Sequence, residues 1–166
     1  ADRILVDLGL SSDQLADRER GFGFSTSGPL DMRFDISQGE SAAELLSRAT
    51  AEQLATIFHE FGEERFSRAI AEQIVTRRRS SPIRTASDLV AVIDAALPAS
   101  IKREARKEPA TRVFQALRIA VNRELEHLEH ALKHSLYDSL RPGGRLVVIT
   151  FHSLEDRLVK HAFRDE

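Results

Sequence analysis

Two short stretches of this 166-residue chain combine side chains that can hold a polar ligand and move a proton. Asp7-Leu8-Gly9-Leu10-Ser11-Ser12-Asp13-Gln14 follows the apolar run Ile4-Leu5-Val6, and Phe151-His152-Ser153 follows the apolar run that begins at Leu146. In open parallel sheets, ligands bind beyond the carboxyl ends of the strands. A carboxylate there, a glycine that lets a ligand approach the backbone, and hydroxyl and amide groups beyond suit a polar ligand carrying amines. A plainer reading competes: Ser11 or Ser12 caps a turn, and Asp7 bonds loop amides. Asp31 and Arg33 admit two readings as well. They position a base and a phosphate, or they pair with each other and pin their loop. His152 either takes a proton or links the strand end to the cap of the next helix. The proton acceptors near the strand ends are therefore Asp7, Ser11, Ser12, Asp31 and His152.

The elements that must carry these residues follow from periodicity and punctuation. Ile4 to Asp7 reads as a short buried strand broken by Gly9. Leu10 to Ile36 keeps no period and reads as a long ordered loop, a kind of segment that in compact domains is usually functional. Ser41 or Glu40 opens a helix to Arg48. Thr50-Ala51-Glu52-Gln53 is a capping box that starts a second, ending at Gly62. A third runs from Glu63 to Arg79, with Phe66, Ala69, Ile70 and Ile74 on one face. A fourth starts at Thr85 and turns Leu89, Val92, Ile93 and Ala96 inward. Ala99 to Ala110 reads as a charged linker. Phe114, Leu117, Val121, Leu125, Leu128, Leu132 and Leu136 recur at helical steps and predict one long helix from Thr111 to Leu140. Arg141-Pro142-Gly143-Gly144 ends it, Leu146 to Phe151 forms a second buried strand, and Ser153 starts the last helix. A strand followed much later by a helix, a tight turn and a second strand is a βαβ crossover with a helical insertion. The two strands should be parallel neighbours, and Phe66, Ile70, Ile74, Leu89, Val92 and Ile93 should share the core of a helical lobe.

The bulk properties set outer limits. With 42% hydrophobic and 30% charged residues the composition is that of a globular protein. No apolar run approaches the roughly 18 residues that a bilayer span needs. Cysteine is absent, which excludes a disulfide scaffold or a thiolate zinc site in this chain and fits a reducing cytoplasm. His127, His130 and His134 share a helix but face away from the leucine stripe, which favours a solvated surface over a metal site; no metal is expected. The chain opens on a strand without a lead-in, so an upstream part is expected.

Several motifs occur in a fixed order: Asp7 to Leu15 as quoted, Arg20-Gly21-Phe22-Gly23-Phe24, Gly28-Pro29-Leu30-Asp31-Met32-Arg33, Gly62-Glu63-Glu64-Arg65-Phe66, Thr111-Arg112-Val113-Phe114-Gln115-Ala116-Leu117-Arg118-Ile119 and Phe151-His152-Ser153-Leu154-Glu155-Asp156-Arg157. Over essentially the whole chain they resemble the MraW family of ribosomal RNA methyltransferases. The resemblance implies a helix-rich α/β fold, part of a Rossmann-like class I methyltransferase domain with an inserted all-helical domain. It divides the chain into a first methyltransferase part (1–38), a helical substrate-recognition domain (39–110) and a second methyltransferase part (111–166). It implies methyl transfer from S-adenosylmethionine to the N4 amine of a cytidine in 16S ribosomal RNA, in the cytoplasm. The partner is the small-subunit RNA or the assembled small subunit, not a membrane, with a homodimer left open. Asp7 and Gln14 carry over as cofactor contacts, while Asp13 stands where many members carry proline. The family's glycine-containing cofactor loop precedes this chain, and Gly21-Phe22-Gly23 does not replace it, because no strand leads into it. The chain alone is expected to be inactive.

This chemistry requires alignment of amine, methyl and sulfur and an acceptor for an amine proton, but no covalent nucleophile. Methylation at ring carbon C5 normally uses a cysteine, so the residues here favour an exocyclic amine. Asp7, Ser11, Asp31 and His152 are the catalytic candidates. RNA also requires positive charge. From Arg65 to Arg112 there are eleven basic and five acidic residues, a local excess of six on a chain of net charge −2. Arg33, Arg77, Arg78, Arg79, Arg112 and Arg118 are the candidate RNA contacts. Two rival readings are a non-catalytic helical module that binds RNA or protein, and a methyltransferase of small molecules, which the basic insertion disfavours.

Overall fold

The computed structural model describes residues 1–23, 28–104 and 108–164, with the side chains of Ala16, Lys102, Arg103, Glu104 and Glu108 excepted. The chain packs as two compact units. One is α/β and comprises Ala1–Ser11 with Arg123–Glu166; the other is helical and comprises Ser12–Asn122.

In the α/β unit, strand β1 (Arg3–Asp7) pairs in parallel with β2 (Arg145–Ile149), in the register Arg3 to Arg145 through Asp7 to Ile149. The expected parallel pairing is therefore present. Leu8, Leu146 and Val148 pack with Leu128 of helix α8 (Glu124–His130), Leu132 of the following π-helical turn (Ala131–Ser135) and Val159 of helix α10 (Ser153–Ala162). Helix α9 is the short piece Leu136–Asp138. The strands differ from the expectation of full burial: only one face is covered. Leu5, Val147 and Ile149 point the other way and are exposed. Period-2 geometry puts alternate residues on opposite faces, so an all-apolar strand necessarily shows half its side chains to whatever lies beyond.

The helical unit contains α1 (Ser12–Ala16), α2 (Ala42–Arg48), α3 (Ala51–Glu60), α4 (Ser67–Arg77), α5 (Ala86–Ala96), α6 (Ala99–Glu104) and α7 (Glu108–Asn122). Ser41 with Glu44, Thr50 with Gln53, and Thr85 with Asp88 form reciprocal capping boxes at α2, α3 and α5. Each satisfies amides that the first helical turn leaves without partners. Of the expected core, Ile70, Ile74, Leu89, Val92 and Ile93 are buried around Phe58, Leu117 and Ile119. Ala69 of the expected apolar face is exposed, and Phe66 is only half-buried. It precedes α4, and the Arg65 guanidinium lies over its ring at 4.7 Å. Helix α4 starts four residues later than periodicity suggests because Glu63 is in the left-handed region (φ 50°). The turn there is tight: a Cβ on Gly62 would stand 2.6 Å from the Arg112 carbonyl oxygen, so glycine is what lets the end of α3 meet α7.

Three further expectations change. Part of the long loop is helical, at α1. Part of the linker is helical as well, at α6, with residues 105–107 outside the described set. The long helix is not continuous: α7 stops at Asn122, Arg123 is left-handed (φ 50°), and α8 begins at Glu124. The leucine repeat runs through the break because both sides are amphipathic helices. Leu117 nevertheless belongs to the core of one unit and Leu128 and Leu132 to that of the other. Packing thus groups residues 12–38 and 111–122 with the helices. Among the described residues no helix is long and apolar enough to cross a membrane.

Candidate functional site

The carboxyl ends of β1 and β2 lie side by side. The Leu8 N–H donates to the Ile149 carbonyl oxygen (3.2 Å), which keeps the strands paired to their last residues. Asp7 ends β1 with an exposed side chain, and its carboxylate has no hydrogen-bond or ion-pair partner among the described residues. Gly9 has φ 90°, and a Cβ there would come within 3.2 Å of the Phe151 ring. Glycine thus meets a left-handed turn and a close aromatic neighbour together. Phe151 itself is 68% exposed. The result is a ledge at the strand ends with a carboxylate, open backbone and an aromatic ring.

His152 adjoins this ledge with both ring nitrogens directed inward. It is the N-cap of α10, which starts at Ser153 as expected, and its Nδ1 accepts the Glu155 N–H at 3.4 Å. The ring proton is therefore assigned to Nε2, which faces Glu155 Oε1 at 3.2 Å without the alignment of a hydrogen bond. Glu155 is buried, and its other oxygen accepts the Phe151 N–H at 2.9 Å. Burial pushes the Glu155 carboxyl up, but His152 and the Phe151 amide outweigh it and hold the group below the ordinary glutamate value. Of the two readings of His152, the geometry displays the link between strand end and helix cap.

In the helical unit, Asp31 and Arg33 form a bidentate pair. Asp31 Oδ2 accepts from Arg33 Nη2 at 2.8 Å, and Oδ1 accepts from Nε at 2.9 Å and from the Arg33 backbone N–H at 3.0 Å. The Arg33 hydrogen bond holds the Asp31 carboxyl below its usual range against the opposing effect of burial. Between them Met32 is buried in the left-handed region (φ 63°). Such strain persists only where the surroundings over-determine it. Here they do. The Leu30 and Asp31 carbonyls accept the Ala43 and Ala42 N–H groups at the start of α2, and the Met32 N–H reaches the Arg20 carbonyl. Asn122 Nδ2 donates to the Met32 carbonyl at 2.7 Å, and Asn122 Oδ1 accepts the Phe34 N–H at 2.7 Å. Arg20 Nη2 donates to the Arg33 and Phe34 carbonyls.

The cations divide by exposure. Arg77 and Arg79 face solvent. Arg78 does not share their position: its Nη1 bonds the Leu46 and Ala49 carbonyls (2.6 and 2.7 Å), closing the end of α2. Arg112 is 40% exposed and stands 4.0 Å from Glu64 Oε2, an oxygen that is fully buried and lacks a hydrogen bond. Glu64 Oε1 accepts the Phe66 N–H at 2.7 Å. Arg118 is half-buried, and its carbonyl accepts from Asn122. A groove of about 910 Å³ between α3 and α4 is lined by His59, Arg65 and Arg68 but equally by Glu52, Glu60 and Glu72, a balance that selects neither sign of charge. No group of His, Asp and Glu suited to a metal occurs among the described residues.

The structure thus joins Asp7 with Phe151 and His152 in one unit, and Asp31 with Arg33 in the other. Ser11 is exposed in the α/β unit, while Gln14 is half-buried on α1 of the helical unit. Sequence reading missed Arg20, Asn122, Glu64 and Glu155. Asn122 left one trace, a poor helix former among good ones; Glu155 left another, an acid three residues past a helix cap. Phe24 of the quoted motifs lies outside the described residues.

A family model described as the MraW methylase family matches residues 1–166. A protein of Thermomicrobium roseum named ribosomal RNA small subunit methyltransferase H is 58% identical over 165 residues, 99% of this chain and 49% of that protein. One of the same name from Chromohalobacter salexigens is 56% identical over 163 residues, covering 98% and 48%. A third, from Pelobacter propionicus, is 53% identical over 164 residues, covering 99% and 52%. The chain spans about half the length of the curated relatives it matches. A family match from the first residue to the last, on a chain whose ordered motifs resemble that family, assigns the sequence: it belongs to the MraW methylase family.

Proposed function

We propose that this chain takes part in S-adenosylmethionine-dependent methylation of the exocyclic N4 amine of a cytidine in 16S ribosomal RNA, within the cytoplasm and on the small subunit or its RNA. Family membership supports the methyltransferase, and the names of the relatives support the RNA. The observation that carries the reading is Asp7: a carboxylate without a protein partner among the described residues, at the carboxyl end of a parallel strand, beside a glycine in the left-handed region. An exposed acceptor over open backbone fits a ligand with a cationic amine. In this reading β1 and β2 are part of a Rossmann-like sheet and the helices after residue 39 form an inserted recognition domain. Residues 1–38 and 111–166 then form the two methyltransferase parts.

S-adenosylmethionine, when bound, supplies the electrophilic methyl group. Asp7 holds its amino group, with Gln14 as a second contact, and Asp7 also accepts a hydrogen bond from the incoming amine. The amine's lone pair is delocalised into the cytosine ring, so fixing its orientation is the main contribution the chain makes. Ser11 contributes through its hydroxyl. Asp31 acts through Arg33, keeping one loop in one conformation. His152 acts through Glu155, fixing where β2 gives way to α10. Arg77 and Arg79 hold phosphates, with Arg33, Arg112 and Arg118 as further contacts.

The test uses the full-length protein and its Asp7→Asn variant. Incubation with S-adenosylmethionine and small subunits should yield N4-methylcytidine on nucleoside analysis. Calorimetric titration should show the variant binding the cofactor about ten- to hundred-fold more weakly, the scale of a charge-assisted hydrogen bond, with an unchanged melting temperature. Equal affinities, or a large loss of stability without cofactor, would make Asp7 a loop anchor.

A further inference from the structure

The loop that follows the Asp31–Arg33 pair holds two apolar side chains out into solvent. Phe34 is 39% exposed and Ile36 59% exposed. Apolar side chains on ordinary surface loops are common, but the backbone around these two is held by several polar contacts. The Phe34 N–H goes to Asn122 Oδ1 (2.7 Å) and its carbonyl receives Arg20 Nη2 (2.8 Å). Its ring rests on the buried Phe22 ring, with centroids 5.8 Å apart and planes inclined by 36°. Past it, the Asp35 carboxylate takes the Ser37 N–H (2.9 Å), the Ser37 hydroxyl (2.6 Å) and the Gln38 amide (2.7 Å), closing a turn around Ile36. The backbone on both sides of the ring is thus fixed, the ring is backed from below, and part of it is left uncovered.

We infer that Phe34 is a stacking platform for one unpaired nucleobase of the RNA substrate, with Ile36 at the edge of the platform. The inference rests on the methyltransferase reading and names a part of its substrate site. One phenyl ring and one isoleucine are far too small for a standard protein partner, which covers about 800 Å² on each side. A single planar base is of the right size. Stacking on an aromatic side chain requires no particular base, and it gains most when the backbone that carries the ring is already held, as it is here. An enzyme that modifies a base amine must take nucleotides out of their stack, and the unstacked bases then need a replacement surface. The polar clamp also explains why Asp31 and Arg33 satisfy each other: their pairing contributes rigidity beneath the platform.

The experiment compares the full-length wild type with Phe34→Leu, which keeps an apolar group on Phe22 but removes the ring face, and Phe34→Tyr, which keeps the ring. The probes are single-stranded RNAs from the small subunit that carry 2-aminopurine at successive positions. The Leu variant should bind the RNA about five- to hundred-fold more weakly and fail to quench the 2-aminopurine. The Tyr variant should stay within about twofold of wild type. Melting temperatures and calorimetric affinity for S-adenosylmethionine should be the same in all three. Leu binding and quenching like wild type overturns the inference, as does a loss confined to the cofactor. A loss in Leu and Tyr alike that follows melting temperature assigns Phe34 to packing and also overturns it. If the wild type neither binds nor methylates small-subunit RNA, the methyltransferase reading fails and this one with it. Wild-type methylation with an indifferent Leu variant sinks this one alone.

Discussion

In the helical unit Leu54, Phe58, Ile70, Ile74 and Leu89 have no exposed surface, whereas in the α/β unit Leu5, Val147, Ile149 and Phe151 all face solvent. The carboxylate at the strand end differs from several of the helical unit in the same direction. Asp31, Glu44 and Asp88 of the helical unit are all held below their ordinary range by bonds within a few residues, while Asp7 of the α/β unit presents its oxygens without a partner among the described residues. The helical unit uses its polar side chains to hold shape. The α/β unit places one at a strand end, where the sheet itself supplies the rigidity. A carboxylate committed to a cap or an ion pair has little capacity left for a ligand, so the less completely packed unit is the one that can offer Asp7. Other carboxylates of that unit are paired as well, Glu126 with Arg123, Glu129 with Lys133, Asp156 with Lys160, and Glu155 with His152 at the junction of β2 and α10.

The contrast in closure predicts the largest effects. Phe58→Ala should destabilise the helical unit by about 3–5 kcal/mol, since a fully buried ring leaves a cavity that tight neighbours cannot fill. Leu128→Ala, in the more open α/β core, should fall at the low end of its class, about 2 kcal/mol. Chemical denaturation followed separately in each unit by hydrogen exchange measures both, and an equal cost would erase the contrast.

Intermediate effects come from side chains that hold shape. Arg78→Ala strips the Leu46 and Ala49 carbonyls of their donor and should cost about 1–3 kcal/mol. In the α/β unit the lowered Glu155 carboxyl contributes stability above the ordinary glutamate range, and that contribution is lost as the pH falls through its lowered value. Glu155→Gln should therefore flatten the acid side of the stability profile near β2 and α10. A Gln variant that loses stability on acidification as steeply as wild type would exclude Glu155 as a source of that dependence.

The smallest effects on folding should come from the exposed neighbours of Arg78. Arg77→Ala with Arg79→Ala should leave the melt nearly unchanged, within about 0.5 kcal/mol. The same pair of changes should lower the salt dependence of RNA binding by about one unit of slope for each phosphate left without its arginine. Unchanged salt dependence would remove both from the RNA surface.

Much of this was legible from residue types alone. The capping box at Thr50, the helix start at Thr85, the parallel strand pair, the burial of Ile70 and Ile74 on α4, the inward face of α5 and the ordered motifs of the family rest on local rules, because a capping threonine or a β-branched run states its requirement within a few residues. The readings that stayed double were those whose outcome depends on a distant partner. Asp31 and Arg33 were equally consistent with a ligand and with each other; the close approach of Asn122 and Arg20 is what shapes their loop around a left-handed Met32. Arg77, Arg78 and Arg79 are identical letters, and only the position of the end of α2 separates the middle one from its neighbours. The leucine repeat from Leu117 to Leu136 fixed helix and amphipathicity but was silent on which core each residue joins, because periodicity records that a face is apolar and not what covers it. The break at Arg123 and the buried Glu64 beside Arg112 are likewise products of packing: a side chain's burial, and hence the strength of its electrostatics, is a property of its neighbours in space.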